Sequence, residues 1–213
     1  MNITEIDFGS LLTYTPRGDE IQHRESKKVM FDLKNDVKLK SGNLISEVIA
    51  KMIKENLAKY PFSNYFNDNV VLIPTPKSSL PQKDELWVPQ RITKALSEQG
   101  LGKSEECLVR EIPLPRSSRV SAADRPKASQ HYESLKVREL LFKPKEIVLV
   151  DDVITRGATS LGAVNRLHEA FPEAKIRVFA AMRTISNFLE FTNYIEPCVG
   201  IVSLVGVDAF RNP

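Results

Sequence analysis

Glu146-Ile147-Val148-Leu149-Val150-Asp151-Asp152-Val153-Ile154-Thr155-Arg156-Gly157-Ala158-Thr159-Ser160 is the stretch whose reading decides the fold of this 213-residue chain. Four apolar residues of high strand propensity run straight into two carboxylates, and a short loop of Thr, Gly and Ser follows before a helical pattern begins. Continuous rather than alternating hydrophobicity predicts a strand buried on both faces, as in a parallel sheet. Ligands of such sheets collect beyond the carboxyl ends of the strands, where the two aspartates would lie. The loop after them can turn backbone N–H groups and a helix N-terminus toward an anion. Acids that bind a diol, set beside a phosphate cradle, suit a sugar phosphate.

Outward from this stretch, the pattern is that of an α/β protein. Leu44, Ile45, Val48, Ile49, Met52, Ile53 and Leu57 recur at spacings of three and four and predict a helix capped by Ser41 or Asn43, with Pro61 after its end. Asn69–Pro74 reads as a second buried strand, and Trp87 to Gln99 as a helix with Pro89 in its first turn and Gly100 at its end. Cys107–Arg110 reads as a short strand. Leu161, Val164, Leu167 and Phe171 form the inner face of the helix after the opening strand. Lys175–Met182 and Val199–Val205 are two further strands, with a helix expected around Asn187–Tyr194. Residues 1–40 are mixed, with the turn Thr15-Pro16-Arg17-Gly18-Asp19 and a short element at Val29–Lys34, and read as a cover over the core. The expectation is one domain over 1–213: a cover and helix over 1–66, a core over 67–184, and a last strand with a small hood over 185–213. Its sheet is parallel, with right-handed crossovers and helices on both faces.

Composition bounds the function. Hydrophobic residues make up 42% and charged residues 27%, ordinary for a soluble protein, and the net charge of +3 is too small to argue for nucleic acid. The charge is concentrated between residues 110 and 138, where seven Lys or Arg face three acids. This segment has no clean period and holds Pro113, Pro115 and Pro126, so a long functional or disordered loop is expected. Its one aromatic, Tyr132, is no stacking series, which weighs against nucleic acid. Cys107 and Cys198 lie outside any metal-ligand spacing. The start MNITEIDFGS lacks the regions of a signal peptide, and no apolar run approaches the roughly 18 residues of a membrane span, so a cytoplasmic protein is expected.

Asp151-Asp152 followed by Val153-Ile154-Thr155-Arg156-Gly157-Ala158-Thr159-Ser160 resembles the phosphoribosyl-pyrophosphate (PRPP) signature of type I phosphoribosyltransferases, which are Rossmann-like α/β folds. Taken alone, the acids could equally be a cap with a solvated neighbour, or part of a metal pocket. The resemblance implies that Asp151 and Asp152 contact the ribose hydroxyls and that Thr155, Arg156, Gly157, Ala158, Thr159 and Ser160 hold the 5-phosphate. Arg156 with the four residues after it looks most like the glutamine amidophosphoribosyltransferases and the competence-protein-F-like group. Tyr14–Gly18, Phe31–Asp36 and Leu72–Pro76 are similar to the latter. Its cysteine-rich metal module is missing here, and a glutaminase activity is not expected.

Three further expectations come with the resemblance. Thr75, Pro76, Lys77 and Ser78, otherwise an ordinary polar loop, would face the leaving pyrophosphate. Family members carry a cis peptide there, and Thr75-Pro76 could supply one at about 0.5–1 kcal/mol. Arg116, Arg119, Arg125 and Lys127 would belong to a cationic flap that closes over the pyrophosphate, with His131 as a weaker candidate. Mg²⁺ would be held mainly by PRPP and water, with support from Asp151 and Asp152. The implied activity is transfer of phosphoribose to a nitrogen acceptor with release of pyrophosphate, without membrane or nucleic-acid partners and with a homodimer as one assembly. The competing readings are a PRPP-binding regulator without turnover and an accessory protein of DNA uptake or repair. Phe188, Phe191, Tyr194 and Phe210 could stack an acceptor ring or simply fill the core.

Overall fold

The computed structural model describes residues 1–115, 120–121 and 124–213. In chain order its elements are β1 (Glu5–Tyr14), α1 (Ile21–Lys34), α2 (Ile45–Asn56), β2 (Val71–Pro74), α3 (Val88–Glu98), β3 (Lys103–Ser104) and β4 (Leu108–Arg110). They continue with α4 (Ala128–Glu133), β5 (Leu135–Val137), β6 (Glu146–Ile154), α5 (Ala158–Ala170), β7 (Lys175–Thr184), β8 (Ile195–Val205) and β9 (Asp208–Asn212). Among the described residues seven strands form one sheet in the order β3-β2-β6-β7-β1-β8-β9. The first five run parallel, β8 is antiparallel to β1, and β9 is antiparallel to β8. The protein is therefore a mixed α/β fold with a mostly parallel sheet, as the apolar runs of β2, β6 and β7 predict.

β6 explains the layering. Val148 and Val150 enter one core with Ile49 and Ile53 of α2, Ile92 and Leu96 of α3, and Phe62, Phe66 and Phe179. Ile147 and Leu149 enter the other, with Leu161, Val164 and Leu167 of α5, Ala128 of α4, and Leu108 and Leu135. Four consecutive apolar residues are needed because both faces are covered. Phe179 lies 5.3 Å from Phe62 and 5.2 Å from Phe66, ring centre to ring centre, which ties β7 to the turn after α2. Among the described residues no helix is long and apolar enough to cross a membrane.

Several expectations are corrected. Residues 1–40 are not a cover: β1 is an inner strand between β7 and β8, and α1 runs for 14 residues rather than six. β1 escapes notice because Asp7, Gly9, Ser10 and Thr13 dilute its apolar run, although Ser10 and Thr13 are fully buried. α1 buries His23 and Ser26 and exposes Ile21 and Phe31, the reverse of an amphipathic signal. The strand at 107–110 leaves the main sheet and forms an antiparallel ribbon, β4 with β5. The basic segment is interrupted by α4. In place of a helix at 187–194 there is only a 3₁₀ turn at Phe188–Glu190, and β9 was not foreseen. α2 starts one residue after Leu44, whose N–H donates to Glu47 Oε2 at 2.8 Å, so neither Ser41 nor Asn43 caps it. The helix predicted from Trp87 to Gln99 is α3, with Pro89 in its first turn.

α4 lies so close to α5 that only glycine fits at 162. A Cβ there would stand 2.5 Å from the Ala128 carbonyl oxygen, 2.6 Å from His131 Cβ and 2.8 Å from the Tyr132 nitrogen. Two of those three atoms are backbone and cannot rotate away. Gly162→Ala should therefore lower stability by up to about 2 kcal/mol, an overpacking cost of about 1–3 kcal/mol less the roughly 1 kcal/mol that alanine gains in helix propensity. A urea midpoint equal to or above that of the native protein would show that α4 moves aside freely.

Candidate functional site

The carboxyl ends of β2, β6, β7 and β1 share one edge of the sheet, and a cleft opens there. It has two adjoining compartments, of about 130 Å³ and 510 Å³, with Asp151, Val153, His131 and Thr159 on the walls of both. The smaller is formed by Thr155–Ser160 with Arg125, Lys127, Asp208 and Ala209. The larger holds Lys34, Asp152, the loop Thr75–Ser79, Arg110, and apolar groups of Leu86, Val88 and Pro89. Thus the acid pair, both loops, Arg125, Lys127 and His131 converge on one cleft. Arg116 and Arg119 lie outside the described residues.

The acid pair interrupts the regular alternation of β6. Val153 packs with the first core and Ile154 sits in the second, so the two faces have exchanged by one residue across Asp151-Asp152. Each carboxylate accepts the N–H of the following residue, Asp151 Oδ1 from Asp152 at 2.9 Å and Asp152 Oδ1 from Val153 at 2.6 Å. Asp151 keeps 9% of its exposure. Burial, with the adjacent charge of Asp152, pushes its carboxyl well above the usual carboxylate range, against a smaller opposing pull from Lys34. Lys34, at the end of α1, donates to Asp152 Oδ2 at 2.8 Å. Burial acts to lower the Lys34 ammonium, but the charges of Asp152 and Asp151 outweigh it and the net shift is upward.

Gly157 makes the smaller compartment. It holds φ +89° just before α5, and a Cβ on it would meet Val202 Cγ1 at 2.5 Å, so both conformation and space require glycine. The loop is tied from outside: Thr155 Oγ1 lies 3.1 Å from Thr184 Oγ1, and the Thr155 carbonyl accepts from Arg211 Nε at 2.8 Å. Arg211 also donates to the Thr184 carbonyl, so the β8–β9 hairpin clamps the loop. Thr159 Oγ1 lies 3.2 Å from His131 Nε2.

In the larger compartment the Lys77 ammonium is bonded to Glu85 and, at 2.8 Å, to the Leu86 carbonyl. The Thr75–Pro76 peptide is trans, against the expected cis bond; among the described residues only Asn212–Pro213 is cis. Arg110, 3% exposed, holds the loop through Nε to the Lys77 carbonyl at 2.9 Å and donates Nη1 to Ser134 Oγ. Burial takes its guanidinium down to about 10. Thr75 Oγ1, Ser79 Oγ, Arg110 Nη2, Arg125 Nε and His131 Nδ1 are buried without a hydrogen-bond partner, and all five residues line the cleft. Unpaired buried polar atoms in a cleft wall are groups that a polar ligand or water can satisfy. Among the described residues no group of three or more His, Cys, Asp or Glu is arranged to hold a metal. Two carboxylates alone suit an ion that arrives with most of its ligands already on it.

Lys34, Asp208 and Arg211 were not singled out by sequence, since nothing local marks them. Phe188, Phe191, Tyr194 and Phe210 do not line the cleft. Phe188 and Phe191 instead meet buried His23 edge-on at 5.8 and 5.5 Å.

His131 gives the site a measurable pH signature. Burial, aided by Arg110, holds its imidazole down to about 4 from the ordinary 6.5. The unfolded chain therefore takes up its proton first, and stability present above about pH 6.5 is lost as pH falls through 4. Linkage puts the loss between pH 7 and pH 5 at about 2 kcal/mol. Asp151 acts with the opposite sign, so the comparison is against the native protein. His131→Asn should remove about that much of the acid-side decline in urea midpoints; an unchanged slope would show that His131 titrates normally.

No family model matches the chain, and no curated protein matches it in sequence. Among solved structures it is similar to a hypoxanthine phosphoribosyltransferase from Staphylococcus aureus, at 12% identity and a TM-score of 0.36 over 73% of this chain and 81% of that one. It is also similar to the adenine phosphoribosyltransferase from Leishmania tarentolae, at 13% identity and a TM-score of 0.37 over 80% and 91%. A Trypanosoma cruzi hypoxanthine phosphoribosyltransferase aligns at 11% identity and a TM-score of 0.33 over 84% and 88%. Scores this low carry no argument about fold or activity, which rest on the chain's own residues.

Proposed function

We propose that the protein is a PRPP-dependent phosphoribosyltransferase that passes the phosphoribosyl group to a nitrogen acceptor and releases pyrophosphate. One observation carries the reading: an acid pair at a strand end, a glycine-turned hydroxyl loop and five unpaired buried polar atoms line one cleft. Asp151 and Asp152 would take the ribose hydroxyls. Thr155–Ser160, with Arg125 and Lys127 beside them, would take the 5-phosphate. The Thr75–Ser79 loop, backed by Arg110, would take the pyrophosphate.

The bond from the anomeric carbon to the pyrophosphate oxygen breaks as the bond to nitrogen forms, and the nitrogen's proton leaves to water or a base. Positive charge develops on the ribose ring and negative charge on the leaving group. Mg²⁺ bound with PRPP would supply charge neutralisation at the pyrophosphate, with Asp151 and Asp152 in support. The chain's part is to orient the sugar through the acid pair and to offer fixed donors to the departing oxygens. No covalent nucleophile is needed. Arg156 and the residues after it favour the competence-protein-F-like branch over nucleobase salvage. A second reading, PRPP sensing without turnover, is favoured by Lys77, whose ammonium is committed to Glu85 and Leu86.

Asp151→Asn combined with Asp152→Asn should weaken Mg²⁺-PRPP binding by at least about 100-fold in calorimetric titration, two charge-assisted bonds being lost. Thermal melting should hold, because the change relieves a buried charge. Unchanged affinity in the double variant would end the site assignment. Pyrophosphate release across ammonia and a nucleobase panel separates enzyme from sensor.

A further inference from the structure

One contact at the acid pair has no part in this scheme. Lys34 reaches Asp152 from 118 positions earlier in the chain, at 2.8 Å, and its charge acts on Asp151 as well. Arg125, Lys127 and Arg156 line the smaller compartment with Asp151, and two cations of the larger one have partners of their own. Lys77 is held by Glu85 and Leu86, and Arg110 donates to Lys77 and Ser134. Tyr14 also acts on Lys34, and His131 of α4 lines the same compartment as the pair. Asp152 keeps only 14% of its side-chain exposure and Asp151 is buried, so without the ammonium two carboxylates would stand side by side unbalanced.

Resting on the PRPP reading, we propose that Lys34 is the resident counter-cation of the acid pair, a positioning residue that keeps a free divalent cation from binding there. Its ammonium lies where such a cation would approach Asp152. Without the ammonium the cluster carries one more unit of negative charge than with it. Metal then enters the cleft only together with PRPP, whose ribose hydroxyls take over Asp152 from Lys34. Mg²⁺ keeps several waters and makes few protein bonds, so the difference of one charge decides whether two carboxylates suffice to bind it.

The test uses Mn²⁺ alone, with no PRPP, followed by the electron paramagnetic resonance signal of the free ion. The native protein and Lys34→Arg should bind Mn²⁺ equally weakly. Lys34→Met should bind at least about tenfold more tightly, since a doubly charged ion loses a neighbouring repulsion. Adding Asp152→Asn to Lys34→Met should abolish the gain. If Lys34→Met does not melt cooperatively, Lys34→Gln replaces it. Two results would overturn the proposal: a charge-removing variant that binds Mn²⁺ no better than native, or Lys34→Arg that gains as much as Lys34→Met. The ion titration is independent of PRPP. Native protein that fails to bind Mg²⁺-PRPP by calorimetry defeats the functional reading, whatever the Mn²⁺ series shows.

Discussion

Placing Asp151 and Asp152 side by side at the end of β6 costs free energy twice, once for removing Asp151 from water and again for its neighbour's charge. The four apolar residues before them hold the pair in position, because Ile147 to Val150 are each fully buried and β6 cannot retreat without exposing them. Compensation is local and partial: each carboxylate accepts one backbone N–H, and Lys34 meets Asp152. A fold that keeps such a pair at a cleft wall carries a local cost that the packing beneath it must offset.

The rest of the cleft is arranged about that constraint by elements remote in sequence. β1 and α1 bring Tyr14 and Lys34 to the sheet edge that carries the acids. Gly157 turns the chain from β6 into α5, and Arg211 of the C-terminal hairpin fixes the turn from outside. On the opposite side, Arg110 pins the Thr75–Ser79 loop by the Lys77 carbonyl. Each wall is thus positioned by a polar side chain from another element, while the cores beneath are apolar.

How much of this the chain disclosed depends on how local the signal was. β2, β6, β7, α2, α3 and α5 have apolar periods that burial on one or two faces dictates, and they were legible. β1 was not, because it buries Ser10 and Thr13 beside Phe8 and Leu11, and α1 hides its period by burying His23 and Ser26. β4 reads as a strand but nothing local says which sheet receives it. Within the cleft, 151–160 could be read because backbone turn, hydroxyls and acids are contiguous. Lys34 and Arg211 act across 118 and 56 positions, and Arg110 acts through a carbonyl, which carries no residue identity.

The β4–β5 ribbon has a consequence for chain-length variation. Arg110 pairs with Leu135, so the chain between them, which includes α4, is closed at its base by a ribbon outside the main sheet. Closure entropy grows only logarithmically, and doubling such a loop costs about 0.6 kcal/mol. A change of length between Arg110 and α4 is therefore compatible with the pairing of β4 and β5, which stand in a ribbon of their own. The strand order that carries the acid pair does not depend on how long that span is.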